Sequence, residues 1–386
     1  MNNEFEWSYS AVSVLTLHSG LSGEAGPLYT RLLATAPDGP NHGNIFLTAE
    51  VYRNVGSHGP VFPIWKSSDN GQNWVRIADV ADVRFGFGNR YQPMLYELPR
   101  GIGNYPRGTL LLAGNAIPAD LSSTHLVLYA SVNAGIDWEF LSDIDAGGPA
   151  VYDPAANATT TAVWEPNLCL VGDGLVCFYA DERYKDQKML QTLVHRVTRD
   201  LTTWSEAELD FGVVDRSSRP GMFVTTGELP DGSYRAAFEV VGPPLVPVHF
   251  TSSNDGVRWG KSSNLGSPLI SDSGTRLSGS PNISWRLSND GQIEFLVTGR
   301  ISIEPDGTVS NNALFSANAG HGEWKTIALP LQVPREINND NSGYSQSLIW
   351  APDGSLVQAT TVRNYSGSHD IVVARALPRR TESEKY

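Results

Sequence analysis

Strand-length runs of apolar residues, divided by polar turn sequences, recur from one end of the chain to the other. TLLLAG, HLVLYAS, GLVCFYA and IEFLVTG are examples of the apolar runs. Turn sequences such as APDG, LPDG and EPDG separate them, and clusters of this kind are typical of tight turns. No long segment has the 3.6-residue period of an amphipathic helix. The pattern therefore predicts an all-β protein.

One turn motif repeats along the chain. Residues 66–74, KSSDNGQNW, contain the order Ser-x-Asp-x-Gly-x-x-Trp. In such a turn the side chain of Asp69 can accept hydrogen bonds from the following backbone, and Gly71 can adopt a positive φ. The motif recurs as SVNAGIDW (131–138) and SSNDGVRW (252–259) with Asn for Asp, as SANAGHGEW (316–324) with one extra residue, and as the degenerate TRDLTTW (198–204).

The spacing of these turns predicts a repeat architecture. Their tryptophans, at positions 74, 138, 204, 259 and 324, lie 55 to 66 residues apart. This period is typical of a propeller, and the chain of 386 residues holds about six such units. Unrelated hairpins are the alternative, which the regular spacing disfavours. No linker divides the chain, so we predict a single domain over residues 1–386, with Trp74, Trp138 and Trp259 structural and away from the axis.

The composition limits the partners that the protein can have. The formal net charge is −13, which argues against binding to nucleic acid or to an anionic membrane. No apolar run is long enough for a membrane-spanning helix, and MNNEFEWSYS lacks the basic start and apolar core of a signal peptide. We expect a monomer that is extracellular, with its signal peptide absent from this sequence; a cytoplasmic location is the alternative.

The sequence contains no metal or cofactor motif. Its 8 histidines are scattered singly, and there is no glycine-rich phosphate loop, so no metal or cofactor is expected. The two cysteines lie in CLVGDGLVC. If the hairpin turns on residues 172–174, Cys169 stands directly opposite Cys177, close enough for a disulfide. Two buried free thiols are the alternative of equal weight.

Two glutamates stand in apolar surroundings. Glu165 lies between Trp164 and Pro166 at the start of a strand, and Glu239 lies inside the apolar run AAFEVVG. Burial raises the pKa of a carboxyl group, and a lone buried carboxylate is costly unless it is paired. A solvent-facing strand end is the alternative for Glu165, and a salt bridge to an arginine is the alternative for Glu239. Two carboxylates that flank a cleft are the equipment of a glycoside hydrolase.

Polar and aromatic side chains that suit sugar hydroxyls stand near strand starts in successive repeats, where a propeller would bring them to its axis. Trp164 is a candidate sugar platform, with core packing as the alternative. The further candidates are Arg90 and Tyr91 in FGNRYQP, Asp181 and Arg183 in YADER, Arg219 in SRPGM, Asn282 in SGSPN and Tyr344 in SGYSQS.

The repeated turn resembles the Asp-box, or bacterial neuraminidase repeat, of sialidase-like propellers. The order Trp-Glu-Pro, Asp-x-Arg, Arg-Pro-Gly-Met and Leu-Pro-x-Gly-x-Tyr…Glu, densest over residues 160–245, resembles glycoside hydrolase family 93, the exo-α-1,5-L-arabinanases. The resemblance implies a six-bladed β-propeller of four-stranded antiparallel sheets that releases arabinobiose from the non-reducing end of arabinan with retention. It also implies Glu165 and Glu239 as the catalytic carboxylates, with Tyr344 near one of them.

The surroundings of the two glutamates suggest their roles. The apolar strand around Glu239 favours a protonated resting form, so we expect Glu239 to be the acid/base and Glu165 the nucleophile. A hydrogen bond from Tyr344 would lower the pKa of Glu239 and reverse this assignment. A retaining pair should lie ~5 Å apart. The segment Phe238-Glu239-Val240 departs from the Tyr-Glu-Tyr expected for the family, which bears on the subsites and the exact substrate.

Two other functions fit parts of the pattern. In a sialidase, Arg31 of YTRLLATAPDG would be the first of three arginines that bind the sialic carboxylate, and Glu50 of TAEVYRN would be the acidic residue nearby. No aspartate stands in the place of the acid, and an acidic protein is disfavoured for an acidic sugar. In a non-catalytic glycan-binding propeller the Asp-boxes would serve structure alone. The pair Glu165 and Glu239 distinguishes an enzyme from such a binding module.

Overall fold

A computed structural model describes residues 5–24, 26–52, 59–151, 159–333 and 341–382. Within these ranges the protein consists of 26 β-strands and one short 3₁₀-helix, Lys185–Gln187, so the all-β prediction is confirmed. A search of the same ranges finds no helix that is both long enough and apolar enough to span a membrane.

The N-terminal half of the chain forms three four-stranded antiparallel sheets in succession, after a first strand, β1 (Phe5–Ser19), that belongs to the last sheet. Sheet 1 contains β2 (Leu28–Ala34), β3 (Ile45–Glu50), β4 (Phe62–Ser67) and β5 (Val75–Val80). Sheet 2 contains β6 (Asn89–Glu97), β7 (Leu110–Ala116), β8 (Thr124–Ser131) and β9 (Glu139–Gly147). Sheet 3 contains β10 (Val163–Val171), β11 (Gly174–Asp181), β12 (Thr192–Thr198) and β13 (Glu208–Phe211).

The C-terminal half forms three further sheets and one small additional sheet. Sheet 4 contains β14 (Arg219–Thr225), β15 (Tyr234–Val241) and β16 (Val248–Ser253). The small sheet is made of β17 (Arg276–Ser278), β20 (Ile301–Ile303) and β21 (Val309–Ser310), while sheet 5 contains β18 (Asn282–Leu287), β19 (Ile293–Thr298), β22 (Asn312–Ser316) and β23 (Lys325–Ala328). Sheet 6 contains β24 (Ser347–Trp350), β25 (Leu356–Arg363), β26 (His369–Glu382) and β1.

Neighbouring sheets contact one another through their first strands. β6 contacts β2, β10 contacts β6, β14 contacts β10, β18 contacts β14, and β24 contacts β18. β2 in turn contacts β24 and β25, so the first sheet lies against the last. The N-terminal β1 pairs with the C-terminal β26, which joins the two ends of the described chain in one sheet. Apolar side chains fill the space between facing sheets: the rings of Phe178 and Phe223, for example, lie 4.7 Å apart between sheets 3 and 4.

The repeated turn forms as predicted and follows the third strand of its sheet. The N–H of Gly71 donates to Ser67 Oγ at 2.9 Å, and Asp69 Oδ1 accepts two of the following backbone N–H groups. The indole N–H of Trp74 donates to the carbonyl of Gly71 at 3.1 Å. Gly71 faces sheet 6, because a Cβ at this position would lie 2.9 Å from Val357 Cγ2. The motif thus closes a hairpin and packs it on the neighbouring sheet, away from the first strands.

Two copies of the turn motif differ in detail from the residue matches that the sequence suggested. At residues 252–259 the bonding pair is Ser253 and Asp255, one residue later than the predicted Ser252 and Asn254. This turn is therefore one residue shorter than that of residues 66–74. The degenerate copy at 198–204 forms the same kind of turn, and Leu201 adopts a φ of 66° where the other copies have glycine.

The two cysteines are buried free thiols. Cys169 pairs with Val176 and Cys177 pairs with Leu168, because the hairpin turns on two residues instead of three. An offset of one residue places the two side chains on opposite faces of the sheet. Of the two alternatives that the sequence left open, the disulfide is therefore wrong and the pair of buried thiols is confirmed.

A backbone irregularity recurs at the first strand of each of the six sheets. β2, β6, β10 and β14 break register at a residue with positive φ, and such a residue stands just before β18 and β24. The six residues, with φ between 46° and 63°, are Tyr29, Gln92, Glu165, Met222, Ser280 and Ser345. This conformation is uncommon for residues other than glycine, costs about 1–3 kcal/mol each, and is concentrated at functional sites.

Candidate active site

A cavity of about 600 Å³ lies at the meeting point of the first strands. Its lining includes Trp164 and Glu165 of β10, Arg219 of β14, Glu239 of β15, and Tyr344, which precedes β24. The sequence predicted each of these five residues for the site, and the fold brings them together from three different sheets or their connections. The two glutamates thus share one open, partly apolar cavity.

Glu165 is one of the six positive-φ residues. Hydrogen bonds to the two neighbouring sheets hold both its backbone and its side chain. Its Oε2 accepts the backbone N–H of Met222 at 2.5 Å, and its own N–H donates to Gln92 Oε1 at 3.0 Å. Burial, followed by the charge of Glu239, raises the pKa of Glu165. The Met222 N–H and the guanidinium of Arg219 act in the opposite direction.

Glu239 projects from β15, the second strand of sheet 4, into the same cavity. Its Oε2 accepts the backbone N–H of Ser280 at 2.6 Å. Burial raises its pKa, and the Ser280 N–H and the guanidinium groups of Arg219 and Arg300 oppose that rise. No hydrogen bond joins Tyr344 to Glu239 in the described part of the chain, so the contact that we expected to reverse the assignment is absent.

The same contact recurs from sheet to sheet around the cavity. The backbone N–H of a positive-φ residue donates to a side-chain oxygen of the preceding sheet. Gln92 donates in this way to Glu50 at 2.6 Å, and Glu165 donates to Gln92. Met222 then donates to Glu165, and Ser280 to Glu239. The bulges therefore hold the carboxylates of the site at fixed positions.

Glu50, which the sequence suggested only for the sialidase alternative, is a third carboxylate near this site and is more deeply buried than the other two. It is 3% exposed, and it accepts hydrogen bonds from the Tyr52 hydroxyl and the Gln92 backbone. Burial raises the pKa of Glu50 to about 7, against the effect of those bonds and of Arg31. The available sequence signal was a charge at the end of the apolar run IFLTAEV, the same signal that pointed to Glu165 and Glu239.

Arg31 and Tyr344 lie close to the two glutamates. The guanidinium of Arg31 lies 4.2 Å from the centre of the Tyr29 ring and donates to the carbonyl of Ser345 at 3.0 Å. The rings of Tyr29 and Tyr344 are 6.2 Å apart. Burial and the charges of Glu165 and Glu239 raise the pKa of Tyr344, so its hydroxyl stays protonated and able to donate.

The other predicted binding residues do not line the cavity. Arg183 forms ion pairs with Asp181 and with Asp145 of β9, because the end of β11 turns these side chains toward sheet 2. Tyr91 packs between Tyr52 and Trp164, with ring centroids at 5.6 and 6.4 Å. The remaining two make contacts to backbone: Arg90 Nε donates to the carbonyl of Ile117 at 3.4 Å, and Asn282 Oδ1 accepts the N–H of Leu348 at 3.3 Å.

The described residues contain no group of three or more His, Cys, Asp or Glu side chains arranged to hold a metal ion. The lining of the cavity offers two carboxyl groups with raised pKa values, two guanidinium groups and a tyrosine hydroxyl. Such a set can transfer a proton to an oxygen on one side of a bond and present a carboxylate on the other.

Solved structures similar to this chain come from fungal enzymes. An α-L-arabinofuranosidase from Fusarium graminearum, in complex with an iminosugar inhibitor, is 30% identical at a TM-score of 0.78, over 92% of this chain and 94% of that chain. A GH93 α-L-arabinofuranosidase of the same organism, in complex with arabinobiose, is 29% identical at a TM-score of 0.80, over 95% of this chain and 97% of that chain. An α-L-arabinanase from Penicillium chrysogenum complexed with arabinobiose is 32% identical at a TM-score of 0.77, over 94% of this chain and 98% of that chain.

More distant matches support the fold alone. A sialidase from Streptococcus pneumoniae superposes at a TM-score of 0.53 with 12% identity, over 94% of this chain and 70% of that chain. No protein-family model matches this chain. No curated protein sequence matches it either.

The sialidase-like β-propeller and the pair of carboxylates that line its cavity define a glycoside hydrolase. An identity of 32% to a structure of which this chain covers 98% also shows the family. The chain belongs to glycoside hydrolase family 93, as the order of its motifs predicted.

Proposed function

We propose that this enzyme is an exo-acting hydrolase that cleaves α-1,5-linked L-arabinan from the non-reducing end and releases arabinobiose with retention of configuration. The observation that carries the proposal is that Glu165 and Glu239 line one cavity, each fixed by a backbone N–H of the following sheet. Two similar enzymes that were solved with arabinobiose support the choice of substrate.

The proposed scaffold is a single six-bladed propeller over residues 1–386. Six sheets whose first strands contact one another in cyclic order support this count, as do the six positive-φ residues, one per sheet. The pairing of β1 with β26 would close the ring. The small sheet of β17, β20 and β21 is then an addition to sheet 5 at the cavity wall, where Ser278, Ile301 and Ile303 lie.

The electrostatics favour Glu165 as the acid/base and Glu239 as the nucleophile, the reverse of our expectation from the sequence. Burial raises the pKa of both groups, and the charge of Glu239 raises that of Glu165 further, which favours Glu165 as the protonated member of the pair. Arg219 opposes the rise at both groups, together with Arg31 at Glu165 and with Arg300 at Glu239. The apolar neighbours of Glu239, Phe238 and Val240, on which the sequence expectation rested, pack between the sheets.

In the proposed first step, Glu165 gives its proton to the glycosidic oxygen while a Glu239 oxygen bonds to the anomeric carbon. The shortened arabinan leaves, and arabinobiose stays on Glu239 as an ester. In the second step, the Glu165 carboxylate takes a proton from water, and the water oxygen displaces Glu239. Both glutamates return to their starting protonation states.

Replacing Gly221 with alanine is expected to impair catalysis without unfolding the protein. An alanine Cβ at this position would lie 2.7 Å from Gln191 Nε2 and 3.1 Å from Glu165 Oε2, so Gln191 must shift and the Glu165 carboxylate must give slightly. A misplacement of about 1 Å costs about a hundredfold in rate, so this smaller shift should cost less than that. The measurement is kcat/KM on arabino-oligosaccharides beside the thermal midpoint. Full activity with an unchanged midpoint would show that the position of Glu165 is not critical.

Incubation with linear α-1,5-arabinan, followed by chromatography of the released sugars, tests the proposed function. We expect arabinobiose as the first and dominant product, with little early loss of polymer viscosity, because cleavage starts at chain ends. A double variant, Glu165→Gln with Glu239→Gln, is the control and should release nothing. Release of sialic acid from a sialoside, with no product from arabinan, would establish the sialidase alternative, and no release from either would favour a binding module.

A further inference from the structure

We propose that Glu182 is a positioning residue, a buried carboxylate that fixes Arg219 in the cavity wall and limits the field of Arg219 on the two catalytic glutamates. This inference deepens the proposed function and rests on it for the kinetic part of its test. Glu182 follows β11 in the segment YADER, from which the sequence suggested Asp181 and Arg183. Those two residues pair with each other, whereas Glu182 is 1% exposed and contacts the cavity wall.

The contacts of Glu182 hold two side chains of the wall at once. Its Oε1 accepts from Arg219 Nη2 in an ion pair and from Trp164 Nε1 at 3.1 Å. Gln191 Oε1 accepts from the same Arg219 nitrogen at 2.7 Å. Gln191 is itself held, because its Nε2 donates to the carbonyl of Pro220 at 2.9 Å. One nitrogen of the guanidinium is thus held by two buried acceptors.

A second cation, Lys185, lies near Glu182. Lys185 Nζ lies 3.8 Å from Glu182 Oε2 and also donates to the carbonyl of Leu190. Burial lowers the pKa of Lys185, and the charge of Glu182 opposes that effect. The carboxylate charge of Glu182 therefore lies between two cations, Arg219 and Lys185.

That charge matters because Arg219 acts on both catalytic groups. Its guanidinium lowers the pKa of Glu165 and of Glu239. Without Glu182, Arg219 would exert its full charge on the pair and would be free to bond directly to either carboxylate. Either change would favour loss of the proton that Glu165 must donate. The groups that face the catalytic pair are Arg219, Arg31, Arg300, Tyr29 and Tyr344.

The first test is the pH profile of kcat/KM on arabino-oligosaccharides for Glu182→Gln, which keeps the size of the side chain and removes its charge. We expect the acidic and the alkaline limb of this pH profile both to move to lower pH by about one unit, because the pKa values of Glu165 and Glu239 fall together. Glu182→Asp, which restores the charge, should return both limbs of the pH profile most of the way to their wild-type positions. Glu206→Gln, an exposed charge removal on sheet 3, is the matched control and should superimpose on the wild type.

The second test is independent of turnover. A crystal structure of Glu182→Ala should show the Arg219 guanidinium turned toward Glu165 or Glu239. If the wild type hydrolyses neither arabinan nor arabino-oligosaccharides, the proposed function fails, and this structure still decides the role of Glu182. A pH profile of Glu182→Gln that matches the wild type, or an Arg219 that stays in place in Glu182→Ala, would overturn the inference.

Discussion

Glu239→Ala is expected to lower kcat on a dinitrophenyl arabinobioside by about four to six orders of magnitude, because the variant lacks the carboxylate that bonds to the anomeric carbon. Excess azide should restore measurable turnover by entering the vacated space. The product should be the β-configured arabinobiosyl azide, since azide then attacks once, from the face that Glu239 occupied. Product configuration by proton NMR is the measurement.

The control for this variant is Glu228→Ala, which removes an exposed carboxylate from the connection between β14 and β15 of the same sheet. It should keep wild-type turnover. An azide product of α configuration from Glu239→Ala would show that Glu239 is the acid/base. Turnover near that of the wild type would remove Glu239 from the mechanism altogether.

Glu165→Ala is expected to show an effect that depends on the leaving group. On arabino-oligosaccharides kcat should fall by about two to four orders of magnitude, because the departing sugar oxygen then receives no proton. A dinitrophenolate leaves without protonation, so formation of the ester on Glu239 should stay fast and appear as a burst. Azide should then attack that ester and give the α-configured azide.

The pH dependence provides a second readout of Glu165. Burial and the charge of Glu239 raise its pKa, so the protonated acid persists into the neutral range. A general acid works only while it is protonated, so wild-type activity should be kept below that pKa and lost as pH rises through it. In Glu165→Ala with the dinitrophenyl substrate this alkaline limb should disappear. If the alkaline limb is unchanged in Glu165→Ala, a group other than Glu165 causes the loss of activity at high pH.

The sequence revealed the parts of the site that depend on local chemistry. Glu165 and Glu239 were found because a charge inside an apolar run is unusual wherever the chain goes. The turns around Asp69 were found because their hydrogen bonds span only a few residues. The shift from Asn254 to Asp255 shows the limit of such alignment, since either residue can cap the turn and the register of β16 decides between them.

The parts that escaped prediction depend on contacts between distant segments. Gln92 and Ser280 act through backbone N–H groups at positive φ, which no side-chain pattern reveals. The direction of a side chain at a strand end also cannot be predicted without the fold. In YADER, Glu182 faces the cavity wall, whereas Asp181 pairs with Arg183. The cysteine pair failed for the same reason, because one residue of turn length decides the face on which each thiol lies.

The most direct measurement of the central claim is proton NMR of the anomeric configuration of the arabinobiose first released from arabinan. If Glu165 and Glu239 act as a retaining pair in this cavity, the α-anomer will appear first and the β-anomer only later, as the sugar equilibrates in water. Initial release of the β-anomer would require a water between the two carboxylates in place of an ester on Glu239, and would contradict the mechanism.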